Sequence, residues 1–424
     1  MDPTDVQPQP NSPGALSRRG VLQGATAGAA ALAVARSAPV QAQQSDQIVA
    51  YVGAYTDRGK GIHMFHVDAA DGTLMPWKVL EGLPSPSSLA FAPSQTYLYA
   101  VNEIRTFGGT ESGSVTAMSV DQVTGDLRIL NVVSSRGAGP AHLSVDPAGQ
   151  FVFAANYGGG SVAVLPIKPD GSLGDATDVH TISGPLGPQP AQDAPPGSFA
   201  ISGHDAPHAH MAQTDPAGRY LLVSDLGTDR IYIYRFDSRA GTLTPNDQPF
   251  VQAGPGAGPR HFDFHPNGRW LYSLNEEAST VDVMAYNPSD GSLSIQQTLS
   301  SLPDGYEGTN FPSQIHVTGD GRFVYAANRL HDTIAVFSVD AATGRLTARE
   351  HVWTRGSYPR HFAIEPTGRF LYVLHTRSDN ITTFGVDRGT GSLEFTGKFT
   401  GVGNQSKIVF LALGVPTGSA AGGK

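Results

Sequence analysis

The chain has 424 residues, no cysteine, and 28 Lys and Arg against 37 Asp and Glu, a formal net charge of −9. Disulfides, thiolate nucleophiles and cysteine metal sites are therefore excluded, and an acidic body without a basic run argues against nucleic acid or an anionic membrane as partner. Gly and Pro are abundant, at 50 and 31 residues, but β-branched and aromatic runs alternate between them, as short strands and tight turns require. Beyond the N-terminal segment, no stretch keeps the i, i+3, i+4 apolar spacing of a long helix.

The first segment reads as lying outside the fold. Ser17-Arg18-Arg19-Gly20-Val21-Leu22 precedes an Ala/Gly-rich run to Ala35 and then Val40-Gln41-Ala42. This resembles a twin-arginine export signal cleaved after Ala42. The apolar run is shorter than the roughly 20 residues of a membrane span, so no anchor is expected. The resemblance implies the twin-arginine export machinery as a transient partner and the bacterial periplasm as destination. Without residues 1–42, which hold three basic and two acidic side chains, the net charge is −10.

Next comes a turn ending Gly-x-Leu that recurs seven times, at Gly72, Gly125, Gly171, Gly241, Gly291, Gly344 and Gly391, typified by Asp340-Ala-Ala-Thr-Gly344-Arg-Leu346. The steps are 53, 46, 70, 50, 53 and 47 residues. Glycine suits such a turn because it reaches positive φ without a Cβ clash. A period of about 50 residues built from short strands predicts an all-β, seven-bladed β-propeller with four-stranded antiparallel blades.

Strands A to D of each blade run from the axis outward. The split blade comes first in the chain: 48–53 and 62–67 supply its strands B and C, and 407–411, from the other end, its strand A. Pairing of the N- and C-terminal strands then closes the ring without an open edge. A–B units follow at 86–102, 139–156, 207–225, 258–275, 311–328 and 358–375. The last is the clearest, with A near 361–364, a tight turn at Glu365-Pro-Thr-Gly368, B at 370–374 and C near 381–386. The propeller is expected over 47–413, with 414–424 as a flexible tail.

Antiparallel order puts the starts of A, the ends of B and the B–C and D–A loops on one face, where a ligand site is expected at the mouth of the axial channel. The starts of A carry His142, His208, His210, Arg260, His261, Arg360 and His361, and the ends of B carry Glu103, Asn156, Asp225, Glu276 and Arg329. His142, His261 and His361 each precede a turn glycine by seven residues, a repeated position suited to satisfying backbone groups between blades. Asn156, Asn275 and Asn328 also repeat and read as strand-end caps.

Departures from the repeat point to function. Pro207-His208-Ala209-His210 carries one extra residue, expected to form a bulge that re-aims a side chain. Glu276 and Arg329 share a strand-end position with opposite charge, and Arg260 and Arg360 stand where other blades have Ala141, Ser87 or Ser313. The 70-residue step contains an insertion, 183–206, with His204 and Asp205, which reads either as a lid on this face or as a plain surface loop. A histidine or a partly buried carboxylate can take a proton from water, and arginines can hold an anion or a developing oxyanion. The set fits hydrolysis of an anionic ester or simple anion binding. His208-Ala209-His210 is too common a pattern to indicate a metal site, and none is expected.

Gly139-Pro-Ala-His142 with Ala155-Asn-Tyr-Gly-Gly-Gly160, Pro207-His-Ala-His210 with Ser224-Asp-Leu-Gly-Thr-Asp229, Gly258-Pro-Arg-His261 with Leu274-Asn-Glu276, Gln314-Ile-His316 with Ala327-Asn-Arg329, and Pro359-Arg-His361 together span most of residues 47–412. Jointly they resemble the seven-bladed lactonase family, which includes a bacterial 6-phosphogluconolactonase and a fungal carboxy-muconate cycloisomerase. Through its cycloisomerase branch the resemblance implies a histidine, two arginines and a glutamate around the channel mouth, carried onto His208 or His210, Arg260, Glu276 and Arg329; the family as a whole implies no metal or organic cofactor.

The expected function is a lactonase that opens a sugar-acid lactone by water attack. Glu276 or the His208/His210 pair is the expected general base, with Arg260 also catalytic. Arg329, Arg360, His142, His261, His361 and Asp225 are expected to bind substrate. An export signal fits an unphosphorylated sugar lactone better than a phosphorylated one. The rival readings are a muconate-type cycloisomerase and a non-enzymatic propeller that binds a protein or polymer. A monomer is the default.

Overall fold

In the computed structural model, which describes residues 47–200 and 203–414, the strands form seven four-stranded antiparallel sheets and one small hairpin, with no helix among the described residues. The export segment and residues 415–424 of the tail lie outside the described residues. Blades 2 to 7 begin at the axis with Pro86–Phe91, Pro140–Val145, Ala209–Thr214, Pro259–Phe264, Pro312–Val317 and Pro359–Ile364. Blade 1 is assembled from both ends of the chain. Its innermost strand, Gln405–Ala412, pairs antiparallel with Ile48–Ala54, from Ile48 opposite Ala412 to Ala54 opposite Gln405.

The glycine turns are what lock one blade to the next. Gly72, Gly125, Gly344 and Gly391 have φ between 72° and 79°, a region that side chains with a Cβ seldom enter. The same glycines lie against the aromatic or branched start of the preceding blade's strand B. A Cβ on Gly344 would come 2.3 Å from the Trp270 ring, and one on Gly72 2.7 Å from Phe370. Two residues further along B, a tyrosine hydroxyl donates to the turn carbonyl: Tyr51 to Gly125, Tyr272 to Gly344, Tyr325 to Gly391, and Tyr372 to Gly72. The Tyr372–Gly72 bond of 2.9 Å joins blade 7 to blade 1, so the ring closes through side chains as well as through the sheet. Phe153 and Leu222 lack this hydroxyl, and in those blades Thr177 Oγ1 bonds Gly241 O and Tyr220 OH bonds Ser289 O instead.

Three details differ from the sequence reading. Gly171 closes a tighter turn, onto Lys168 O, whereas the other six glycines bond the carbonyl four residues back. A hairpin, Thr106–Phe107 with Thr110–Glu111, stands on the B–C loop of blade 2, turned by Gly108-Gly109 at positive φ, a dipeptide that favours such hairpins. The register shift in strand A is not special to His208–His210. It occurs between Pro86/Ser88, Pro140/His142, Ala209/Met211, Pro259/His261, Pro312/Ile315 and Pro359/His361, and again at Ser406 in blade 1. The bulge is thus a feature of the repeat, and the residue standing in it is what varies.

Candidate active site

A bulge leaves its extra residue out of the ladder and turns that side chain off the sheet. Here the bulged residues Ser87, Ala141, His210, Arg260, Arg360 and Ser406 all line one narrow space on the axis. The site is therefore built by substituting chemistry into a repeated backbone device. The first residue beyond each strand B completes the mouth, and Glu103, Glu276 and Arg329 hold that position in blades 2, 5 and 6.

Arg260 and Glu276 lie together. Arg260 Nε and Arg329 Nη2 each sit 2.7 Å from Glu276 Oε2, with all three side chains at most 8% exposed. Arg329 is held in turn by Nε donation to Phe311 O at 2.7 Å, and Arg260 Nη1 donates to Ser313 O. Burial, then Arg329, pull the Arg260 pKa down, and Glu276 opposes them. Arg360 belongs to a second chain: its Nη2 donates to Tyr55 OH at 2.6 Å, and Tyr55 donates to Glu103 Oε2 at 2.8 Å. Burial alone would lower Arg360, but Tyr55 and Glu103 raise it overall.

The histidines divide into distinct roles. His208 Nδ1 faces Tyr157 O at 2.9 Å and Nε2 faces Asp205 Oδ1 at 2.8 Å, with its ring stacked on Tyr157 at 4.2 Å. Both nitrogens face oxygen acceptors, which anchors the ring between Tyr157 and Asp205. His210 is different. The Gln314 amide nitrogen is spent on Ile315 O, so Gln314 Oε1 accepts from His261 Nδ1 at 2.8 Å. His261 Nε2 must then accept from His210 Nδ1 at 3.1 Å, which leaves His210 Nε2 as the lone-pair nitrogen. Burial and then Arg260 hold His210 well below the ordinary histidine range, so it is neutral near pH 7. His142 and His361 line the narrow channel with His261.

Asp225 is a correction. It is fully buried and accepts from Thr228 N at 2.9 Å and Thr228 Oγ1 at 2.8 Å, so it caps its own turn instead of facing a substrate. The sequence reading also missed Tyr55. Aligning Tyr51-Val-Gly-Ala-Tyr55 on Tyr99-Ala-Val-Asn-Glu103 puts Tyr55 at the position of Glu276, a signal present in the repeat.

The insertion is fastened across this face. His204 is completely buried, with Nδ1 2.7 Å from Glu277 Oε2 and Nε2 2.8 Å from Asp229 Oδ1. Gly203 N bonds the other Glu277 oxygen, and Gly256 N and Gly258 N bond Asp229. Gly308 N donates to Pro196 O, tying the insertion to the loop before blade 6. Burial by itself would lower His204, but the two carboxylates raise it to about 9. An unfolded histidine titrates near 6.5, so this stabilisation is complete below about pH 6.5 and is lost as pH rises toward 9. It amounts to at most roughly 3 kcal/mol. Urea unfolding at pH 6 and pH 9 should therefore show the advantage of wild type over His204→Gln shrinking at the higher pH. An advantage that grows with pH would refute a charged His204.

Among the described residues, no group of three or more His, Asp or Glu side chains is placed to hold a metal ion, and no helix is long and apolar enough to cross a membrane. A toroid of blades that gathers buried arginines, a carboxylate and a neutral imidazole at its axial mouth defines a propeller-fold enzyme of the lactone-hydrolase class. Over residues 49–410 the chain matches the family described as lactonase, 7-bladed beta-propeller, and it belongs to that family. It is 37% identical over 317 residues to a Bacillus subtilis protein named 6-phosphogluconolactonase, covering 74% of this chain and 84% of that one. A Formosa agariphila protein of the same name is 31% identical over 320 residues, covering 74% and 85%. The solved periplasmic gluconolactonase of Pseudomonas aeruginosa superposes with a TM-score of 0.77 at 33% identity, covering 87% of this chain and 99% of that one.

Proposed function

We propose that the protein hydrolyses an unphosphorylated sugar-acid lactone, gluconolactone in particular, in the periplasm after export through the signal in residues 1–42. The observation that carries the reading is the Arg260–Glu276–Arg329 cluster sharing the channel mouth with a neutral His210. His210 Nε2 takes a proton from water as its oxygen attacks the lactone carbonyl. Arg260 and Arg360 stabilise the oxyanion of the tetrahedral intermediate. The ring C–O bond then breaks, and the leaving alkoxide recovers the proton from His210, giving the open hydroxy acid. Glu276, bound by two arginines, acts as the group that orients them.

The choice of an unphosphorylated substrate draws support from the twin-arginine segment and from the name of the Pseudomonas aeruginosa neighbour, since phosphorylated sugars are scarce outside the inner membrane. A pH-stat assay with gluconolactone and its 6-phosphate tests it. The unphosphorylated lactone is expected to show the higher kcat/KM by roughly tenfold or more. The opposite preference would overturn the substrate and leave the reaction standing. No acid release from either lactone would favour the binding-module reading.

A further inference from the structure

The mouth carries its charged groups in two sets, on separate arcs of the ring. In blades 5 and 6, Arg260 and Arg329 close directly on the Glu276 carboxylate. In blades 7, 1 and 2, the Tyr55 hydroxyl stands between Arg360 and Glu103. A phenol has one proton to give, so the direction of this chain is fixed. Arg360 Nη2 donates to the Tyr55 oxygen at 2.6 Å, and the proton of that hydroxyl goes to Glu103 Oε2 at 2.8 Å.

Each link has its own anchor. Tyr55 follows the strand Ile48–Ala54, whose end pairs Gly53 with Lys407 and Ala54 with Gln405. Its N–H donates to Asn404 O at 3.0 Å and its carbonyl accepts from Gly59 N at 2.8 Å, so both ends of the chain hold it at the rim. Glu103 N donates to Ser85 O at 2.9 Å. Arg360 stands in the strand A bulge of blade 7, over the Tyr55 ring at 5.4 Å from its centre.

The two sets differ in what they leave to a ligand. A guanidinium 2.7 Å from a carboxylate has much of its field cancelled at contact distance. Arg360 meets Glu103 only through a neutral hydroxyl, so the chain orients it without that cancellation. It is also half-buried where Arg260 is fully buried, and the bond to Tyr55 takes one of its five N–H donors.

We propose that Tyr55 and Glu103 are positioning residues of the reaction: the phenol carries the hold of Glu103 to Arg360 and fixes its guanidinium toward the developing oxyanion. This rests on the oxyanion role given to Arg360 above. Because the negative oxygen exists only in the transition state, the chain contributes to kcat and leaves KM nearly unchanged.

Steady-state kinetics on the lactone preferred in the pH-stat assay test this with Tyr55→Phe, Glu103→Gln, Arg360→Met and their combinations, and thermal unfolding controls for fold. Tyr55→Phe is expected to lower kcat by roughly 10–100-fold. Adding Glu103→Gln to it should change kcat by less than about twofold, because without the hydroxyl Glu103 no longer reaches Arg360. In an Arg360→Met background, Tyr55→Phe should also cost less than about twofold. Undiminished kcat in folded Tyr55→Phe would overturn the proposal, even with a lowered unfolding temperature, since a purely structural bond gives that result. So would a loss confined to KM, or one that multiplies with the loss in Arg360→Met. Full activity in Arg360→Met is a separate failure: it removes Arg360 from the reaction, and with it the reading on which the inference rests.

Discussion

Replacing Arg260 by Ala is expected to lower kcat/KM on the lactone by ~10²–10³-fold, the cost of losing one oxyanion donor in a dry site. Arg260 is 2% exposed and combines an ion pair to Glu276 with a hydrogen bond from Nη1 to Ser313 O. A lysine has no fork, so Arg260→Lys can replace one contact but not both, and is expected to recover little of the rate. Glu276→Gln keeps the shape and removes the charge that orients Arg260 and Arg329, and a loss of ~10²-fold is expected there too. Thermal unfolding measured alongside separates loss of chemistry from loss of fold. Full activity in well-folded Arg260→Ala would remove this cluster from the mechanism.

Ending the chain at Ser406 is expected to abolish cooperative folding. The missing residues include Ile408 and Leu411, at 1% and 0% exposure, and pair with the strand from Ile48 to Gly53. Emptying one such core position costs ~2–5 kcal/mol, against a total stability of ~5–15 kcal/mol. The loss would also expose a long central strand as a new sheet edge. Calorimetry is the direct check. A truncated protein melting within about 2 °C of the intact chain would show that the ring does not depend on this closure.

The blade count and the ring closure were legible in the chain because both are local or repetitive. A glycine at positive φ and an alternating strand each depend on neighbours in sequence or on a partner one period away. The shared rim was legible for a similar reason: antiparallel order brings the starts of A and the ends of B to one end of the ring, where Arg260 and Arg329 meet Glu276.

Which side chains meet across the axis was not legible. The placement of both arginines on one Glu276 oxygen, the hydrogen bond that assigns the lone pair to His210, and the arrival of Tyr55 and Lys407 from opposite ends of the chain depend on ring diameter and strand tilt. The insertion shows the same division. Its composition marked it as irregular, but only the tertiary structure joins His204 to Glu277 and Asp229, 73 and 25 residues away. The sequence by itself determined how many blades there are and how the two ends of the chain close the ring. The tertiary structure decided their partners, because distances across a closed ring are set by all seven blades at once and by no single repeat.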